Sequence, residues 1–249
     1  MATRTLTAPL DGAITLGITA TELELTVEVV PGLTTAQLEL TGPDGTVDGT
    51  TEHTTAAAWY VDVPAPEPTV ISTGGGLVIQ GGTITGGIHT RSGRTVINGM
   101  VISTGSDTNT ASEPVTARVR IPAQSALRTR IEGGAVRTAG HLADVDHRGH
   151  NTTLYVASAG DVTADTHNGT VDVDQARGAI DIETHNGAIF VGATGTRTIA
   201  RTHNGAVDIG AASNGPITAR THNGPITVRT NGYDPDVRTH THNGAKRIR

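Results

Sequence analysis

Thr166-His167-Asn168-Gly169 recurs as Thr184-His185-Asn186-Gly187, Thr202-His203-Asn204-Gly205, Thr221-His222-Asn223-Gly224 and Thr241-His242-Asn243-Gly244, at spacings of 18, 18, 19 and 20 residues. Self-similarity at such a period is the signature of a repeat architecture, in which a unit that cannot bury its own inner face buries it against its neighbours. A degenerate copy, Asp146-His147-Arg148-Gly149, lies 20 residues before the first.

The residues around the motif give the unit its shape. After each glycine come Val171/Val173, Ile189/Val191, Val207/Ile209 and Ile226/Val228; before each threonine come Val162/Ala164, Ile180/Ile182, Thr198/Ala200, Ile217/Ala219 and Val237/Thr239. These columns are small or apolar and alternate with Asp172, Asp181, Phe190, Asp208, Thr218 and Thr227, which period-2 geometry points outward. Gly178, Gly195 and Gly215 break each unit in the middle. One repeat therefore reads as strand, turn, strand, turn, which is one coil of a flattened β-solenoid.

Stacked coils bring every Thr-His-Asn-Gly to the same corner, with neighbouring corners about 4.8 Å apart. Asn168, Asn186, Asn204, Asn223 and Asn243 then form an amide ladder, and Gly169, Gly187, Gly205, Gly224 and Gly244 complete the turns. Asn-Gly suits a turn because both residues tolerate positive φ. The histidines, His147 included, are expected to form a column. His167, His185, His203, His222 and His242 could in principle ligate a row of divalent metal ions. The residue before each threonine argues against this: it runs Asp165, Glu183, Arg201, Arg220, His240, so no carboxylate recurs and arginine intrudes. The expectation is no metal, no cofactor and a column of stacked turn histidines, whose rings would repel one another once protonated.

Upstream, Ile14-Thr15-Leu16, Leu23 to Val29, Gln37 to Leu40 and Trp59 to Val63 alternate apolar and polar, Gly42-Pro43-Asp44-Gly45 reads as a turn, and no helical periodicity stands out. The expected organisation is all-β: an N-terminal antiparallel β-strand section over 1–69, a Gly-rich strand and loop segment over 70–114, and the β-solenoid over 115–249. Val115 to Pro122 is a clean alternating strand, and Ser103 to Pro114 reads as a loop. The N-terminal section is expected to cap one end of the stack, with the basic tail or a partner chain covering the other.

Composition agrees with a thin β core. There are 43 Thr, 32 Gly and five aromatic residues in 249, and no Cys, which removes disulfides, thiolate zinc sites and thiol nucleophiles. Residues 1–90 carry ten acids and one base, and residues 91–249 carry 14 acids and 17 bases, so the net −6 divides into −9 and +3. Lys246-Arg247-Ile248-Arg249 is too short a basic run to argue for nucleic acid and reads as a solvated end. No apolar run reaches the roughly 20 residues needed to cross a membrane as a helix, and the N-terminus lacks the pattern of a signal peptide. Catalytic motifs are absent: there is no nucleophile elbow, phosphate loop or zinc-protease helix, and Asp172, Asp174, Asp181, Glu183 and Asp208 read as a solvated face rather than a glycosidase pair.

Val115 to Ala123, Gly133-Gly134-Ala135-Val136-Arg137-Thr138 and Ala159-Gly160-Asp161-Val162 onward resemble a bacterial β-strand-repeat family of actinobacterial type, whose members are described as putative adhesins or as a domain of unknown function. The opening Thr5-Leu6-Thr7-Ala8-Pro9 fits as well. The family's corner is closer to Thr-Ala/Val-Ser-Gly-Asp than to Thr-His-Asn-Gly. The resemblance implies a β-solenoid without enzymatic activity and transfers no site residues. The expected function is thus a structural or adhesive solenoid that binds protein partners, itself, or a cell-surface glycan. A virion component made in the cytoplasm is one setting for it. A cytoplasmic scaffold or regulatory module is the alternative, and a solenoid glycan-degrading enzyme a third.

Overall fold

The computed structural model describes residues 1–65 and 114–249, together with five short strands between them. The N-terminal part contains β1 (Ala2–Asp11), β2 (Thr15–Val29), β3 (Thr35–Gly42), a one-turn helix α1 (Asp44–Asp48), β4 (Thr51–Thr54) and β5 (Ala58–Val63). The intermediate strands are β6 (Thr69–Thr73), β7 (Gly76–Gln80), β8 (Ile88–Arg91), β9 (Arg94–Ile97) and β10 (Met100–Ser103). β6 and β7 pair as an antiparallel hairpin, and β9 lies antiparallel between β8 and β10. The expected loop over 103–114 lies almost wholly outside the described residues; among the described residues the strands between 69 and 103 pair only with one another, in two sheets separate from that of the repeats.

The rest is β11 (Thr116–Ile121), β12 (Ala126–Thr166), β13 (Val171–Gln175), β14 (Ala179–Thr184), β15 (Ile189–Ala193), β16 (Arg197–Thr202), β17 (Val207–Gly210), β18 (Ile217–Thr221), β19 (Ile226–Arg229), β20 (Val237–Thr241) and β21 (Lys246–Ile248). Two parallel ladders run side by side. One is β12-β14-β16-β18-β20 and the other β12-β13-β15-β17-β19-β21, so each coil contributes one rung to each. This is an all-β, solenoid-like fold. Inward columns are buried up to the last coil, among them Val162, Ile180, Ile217 and Val171, Ile189, Val207, Ile226, and open to solvent there at Val237 and Ile248.

The 41-residue β12 is several rungs joined without a break in strand geometry. Its alternation slips phase where the chain turns a corner. β2 shows the same device: Leu16, Ile18 and Ala20 are buried, then Leu23, Leu25 and Val27. The two halves of β2 lie parallel to successive parts of β12, Thr15 to Ala20 against Ala126 to Ile131 and Glu22 to Glu28 against Gly133 to Ala139. β2 is therefore itself a coil of the stack, with β5 and β11 as the parallel rungs on its other side, and the 1–69 section and the repeat region share one sheet.

The N-terminal section is mixed rather than purely antiparallel. β2 pairs in parallel with β5, β11 and β12, while antiparallel pairing is confined to β1–β3, β3–β11 and β4–β5 outside it. A solenoid rung must run parallel to its neighbours, whereas a hairpin added beyond the first coils need not. Gly42-Pro43-Asp44-Gly45 leads into α1 instead of a simple turn, which buries Val47 against the core. At the other end the basic tail, though exposed, is an ordered strand. Lys246–Ile248 is the last rung, paired with β19 alone, because Ile248 continues the inward column of Val228.

Candidate functional site

Each residue of the repeated corner has a distinct physical task. The threonines turn inward and Thr166, Thr184, Thr202 and Thr221 are buried. The hydroxyls of Thr184, Thr202, Thr221 and Thr241 donate to the carbonyls of Gly169, Gly187, Gly205 and Gly224 in the preceding coil, at 3.2, 2.9, 3.0 and 3.0 Å. Thr184 and Thr202 also accept the N–H of their own corner glycine at 3.1 Å. A threonine hydroxyl can do both at once, which satisfies two backbone groups that the turn takes out of the ladders.

The corner glycines are needed for room and not for backbone freedom. None of Gly169, Gly187, Gly205, Gly224 and Gly244 has a positive φ, contrary to the expectation from Asn-Gly turns. A Cβ on Gly187, Gly205, Gly224 or Gly244 would instead lie 1.7–1.8 Å from the glycine carbonyl oxygen of the coil before. Asn168, Asn186, Asn204, Asn223 and Asn243 each donate from Nδ2 to the Oδ1 of the preceding asparagine at 2.6–2.8 Å, the series starting at Asn151. Every amide between Asn151 and Asn243 both donates and accepts within the column, and the ladder stays exposed.

Six imidazoles stack along the same edge. His150, His167, His185, His203, His222 and His242 have ring centroids 4.7–4.9 Å apart and planes within 8° of parallel. Equivalent nitrogens on adjacent rings are therefore separated by the same repeat and point the same way. Two nitrogens on one zinc-type ion, with bonds of about 2.0–2.1 Å, lie at most about 4.2 Å apart. Neighbouring rings cannot share such an ion. Among the described residues no group of three or more His, Asp or Glu side chains is placed to hold a metal ion.

The column begins at His150, not at His147. The stack places His150-Asn151 in register with His167-Asn168, and a His-Asn pair at 150–151 was the sequence signal for it. His147 faces inward, fully buried, with Nδ1 2.7 Å from the Thr129 hydroxyl and Nε2 without a partner. Burial pushes its pKa down to about 4, opposed by the charge of Asp146. Strand alternation explains the exchange, since a residue of the rung and a residue of the corner three positions later face different ways.

Beside the column runs an open groove of about 530 Å³, walled by the histidines and by Asp165, Glu183 and Arg201. Arg201 reaches Asp181 at 3.0 Å and Glu183 at 3.9 Å, and Arg229 reaches both oxygens of Asp208 at 2.8 and 2.9 Å. These arginines partner Asp181, Glu183 and Asp208, three of the carboxylates weighed as a glycosidase pair. Asp172, in line between Tyr155 and Phe190, differs. Its pKa is raised by partial burial and by the neighbouring charge of Asp174, which itself accepts the Tyr155 hydroxyl. Phe190 is 40% exposed on this face.

No protein-family model matches the chain, and no curated protein does. Two solved structures are similar over nearly all of it. One, a putative adhesin from Bacteroides fragilis, has a TM-score of 0.55 at 12% identity, with 99% of this chain and 96% of that one covered. The other, a putative adhesin from Parabacteroides merdae, has a TM-score of 0.50 at 9% identity, with the same coverage. Neither source is an actinobacterium, so these two structures lend no support to the actinobacterial affinity expected from the sequence. At these identities the likeness is one of fold: this chain is built like proteins described as adhesins.

Proposed function

We propose that the chain is a non-enzymatic adhesive scaffold, a stiff stack of coils that holds outward side chains in a fixed array for a partner to grip. One observation carries this reading. From residue 166 on the corner residues repeat unchanged and are consumed by coil-to-coil bonding, whereas the outward residues differ from rung to rung. One outward column reads Asp172, Phe190, Asp208, Thr227 and another Asp181, Thr218, Arg238, with Ile199 between Asp181 and Thr218 buried by its neighbours. Invariance is spent on rigidity and variety is shown to solvent, which is how repeat scaffolds make extended binding surfaces. The likeness in fold to two structures described as putative adhesins supports the same reading. The partner is a protein or a cell-surface glycan.

The test is retention of the labelled full chain on whole cells and on arrayed glycans. Replacing Asp172, Phe190 and Asp208 together by Ser should reduce retention if that column is the grip, with the thermal midpoint little changed. Retention on no surface would overturn the adhesive reading, and shortening of a bound glycan would overturn the non-enzymatic one. Fractionating the native source separates the settings: stoichiometric recovery on released virus particles favours a virion component, and recovery with a soluble partner favours an intracellular scaffold.

A further inference from the structure

We propose that the outer face of the first coils carries a cleft for a carboxylated sugar. The proposal rests on the adhesive reading and specifies its ligand class. The cleft adjoins the N-terminal end of the histidine column, has a volume of about 320 Å³, and is lined by Tyr60, His53, Asp62, Arg128, Arg130, Asp146 and Arg148 around Gly17 and Thr19. That volume is at the lower end of the roughly 300–1,000 Å³ of ligand pockets.

Strand register builds the cleft. Gly17 pairs with Tyr60 on one side and Arg128 on the other, and Thr19 likewise joins Asp62 to Arg130. Tyr60 and Arg128 are thus two rungs apart in one outward row. Arg128 and Arg130, two residues apart on one strand, face the same way about 6.6 Å apart. His147 abuts Thr129 on the inner side, which brings Arg148 beside Arg130 on the outer side. Gly17 has no side chain between Tyr60 and Arg128, and the Tyr60 ring has settled into that gap. A Cβ on Gly17 would meet the ring at 2.2 Å. His53 stacks on the ring at 4.7 Å and holds it.

The chemistry is that of an anionic pyranose. Among the described residues Arg128 and Arg130 form no ion pair, while Arg148 stands 4.0 Å from Asp146 and His53 3.8 Å from Asp62. Two unpaired guanidinium groups on one rung repel each other and present forked donors that match a carboxylate. The Tyr60 ring offers a flat platform for the C–H face of a sugar. Asp62 and Asp146 accept hydroxyl protons. Three arginines against two aspartates line the cleft, and Asp144 lies within reach of the Arg128 charge, so the excess of positive charge is at most one, which suits a monoanion.

The experiment is calorimetric titration of the full chain with an oligosaccharide of alternating glucuronate and N-acetylglucosamine, and with the same oligosaccharide after its carboxyls are reduced to alcohols. The native chain should bind the first at least tenfold more tightly than the second. The Arg128→Gln/Arg130→Gln double variant should lose at least tenfold in affinity, Gly17→Ala, which displaces the ring, several-fold, and Arg220→Gln, far along the same face, nothing. An unchanged circular dichroism spectrum excludes unfolding as the cause of a loss. Absence of binding at millimolar sugar, equal binding of the reduced sugar, or an unaffected double variant would each overturn the proposal. Cell retention that persists in the double variant overturns the cleft alone and leaves the adhesive reading standing.

Discussion

The first coils and the last coils of this solenoid are held together by different means. The buried Trp59 and every buried leucine, among them Leu16, Leu23, Leu25, Leu38, Leu40, Leu127, Leu142 and Leu154, lie at or before residue 154. The later coils bury Val, Ile, Ala and Thr instead, and at their shared corner each adds a threonine-to-carbonyl bond, an amide bond and a stacked ring to the coil before. The N-terminal end relies on apolar volume, which tolerates varied sequence. The repeat end relies on identity, since a ladder works only where the same group recurs. Where side-chain volume is small, regularity of hydrogen bonding takes over part of the cohesion.

Breaking that regularity should produce the largest effect. Gly205→Val places a branched side chain where a Cβ already meets the Gly187 carbonyl oxygen at 1.8 Å. Coils on either side must separate, and we expect at least about 4 kcal/mol of destabilisation, of the size reserved for backbone clashes and core disruption. Thermal unfolding followed by circular dichroism would read it, and a midpoint within 2–3 °C of wild type (~1 kcal/mol or less) would show that the corner has slack.

At the other end the equivalent blow is to volume. Leu25→Ala empties a fully buried position in the first coils and should cost about 3 kcal/mol in denaturant unfolding. A cost below about 1 kcal/mol would erase the contrast between the ends.

Acid sharpens the contrast, because His147 belongs to the volume-packed coils and the stacked rings to the repeat. Its folded pKa of about 4 lies below its ordinary value of 6.5. As pH falls through 6.5 the unfolded chain takes up a proton that the folded chain refuses. Stability therefore drops between pH 6.5 and 4 and levels off below, by on the order of 3 kcal/mol from this group. The Thr129→Val/His147→Leu double variant, which removes both hydrogen-bond partners, should lose that part of the slope. An identical pH–stability curve would mean that His147 is not buried neutral. The smallest effect is expected for Asn204→Ala. It deletes two exposed amide bonds, to Asn186 at 2.7 Å and from Asn223 at 2.6 Å, and should cost about 0.5–1 kcal/mol by equilibrium unfolding.

Much of the repeat half is legible because its determinants are local and recur. Period-2 alternation sorts Val171 and Val173 inward and Asp172 outward, and the 18–20-residue spacing puts the asparagines in one column. The N-terminal coil is harder to read. β2 resembles an ordinary antiparallel strand in sequence, and only its partners, more than 100 positions away in β12, make it a parallel rung. The same distance conceals the arginine cleft, since Tyr60 and Arg128 become neighbours only through Gly17.

By itself the sequence determined that the chain is all-β, that its C-terminal half is a stack of coils, and which residues of each coil face in. These follow from side-chain alternation and from a period that brings identical residues into line. Tertiary structure alone decided which histidine enters the column, that the corner glycines are there for closeness rather than for an unusual backbone angle, and that the basic tail is the last rung. Each of these depends on the distance between atoms of adjacent coils, and a spacing along the chain carries no information about how closely two coils approach.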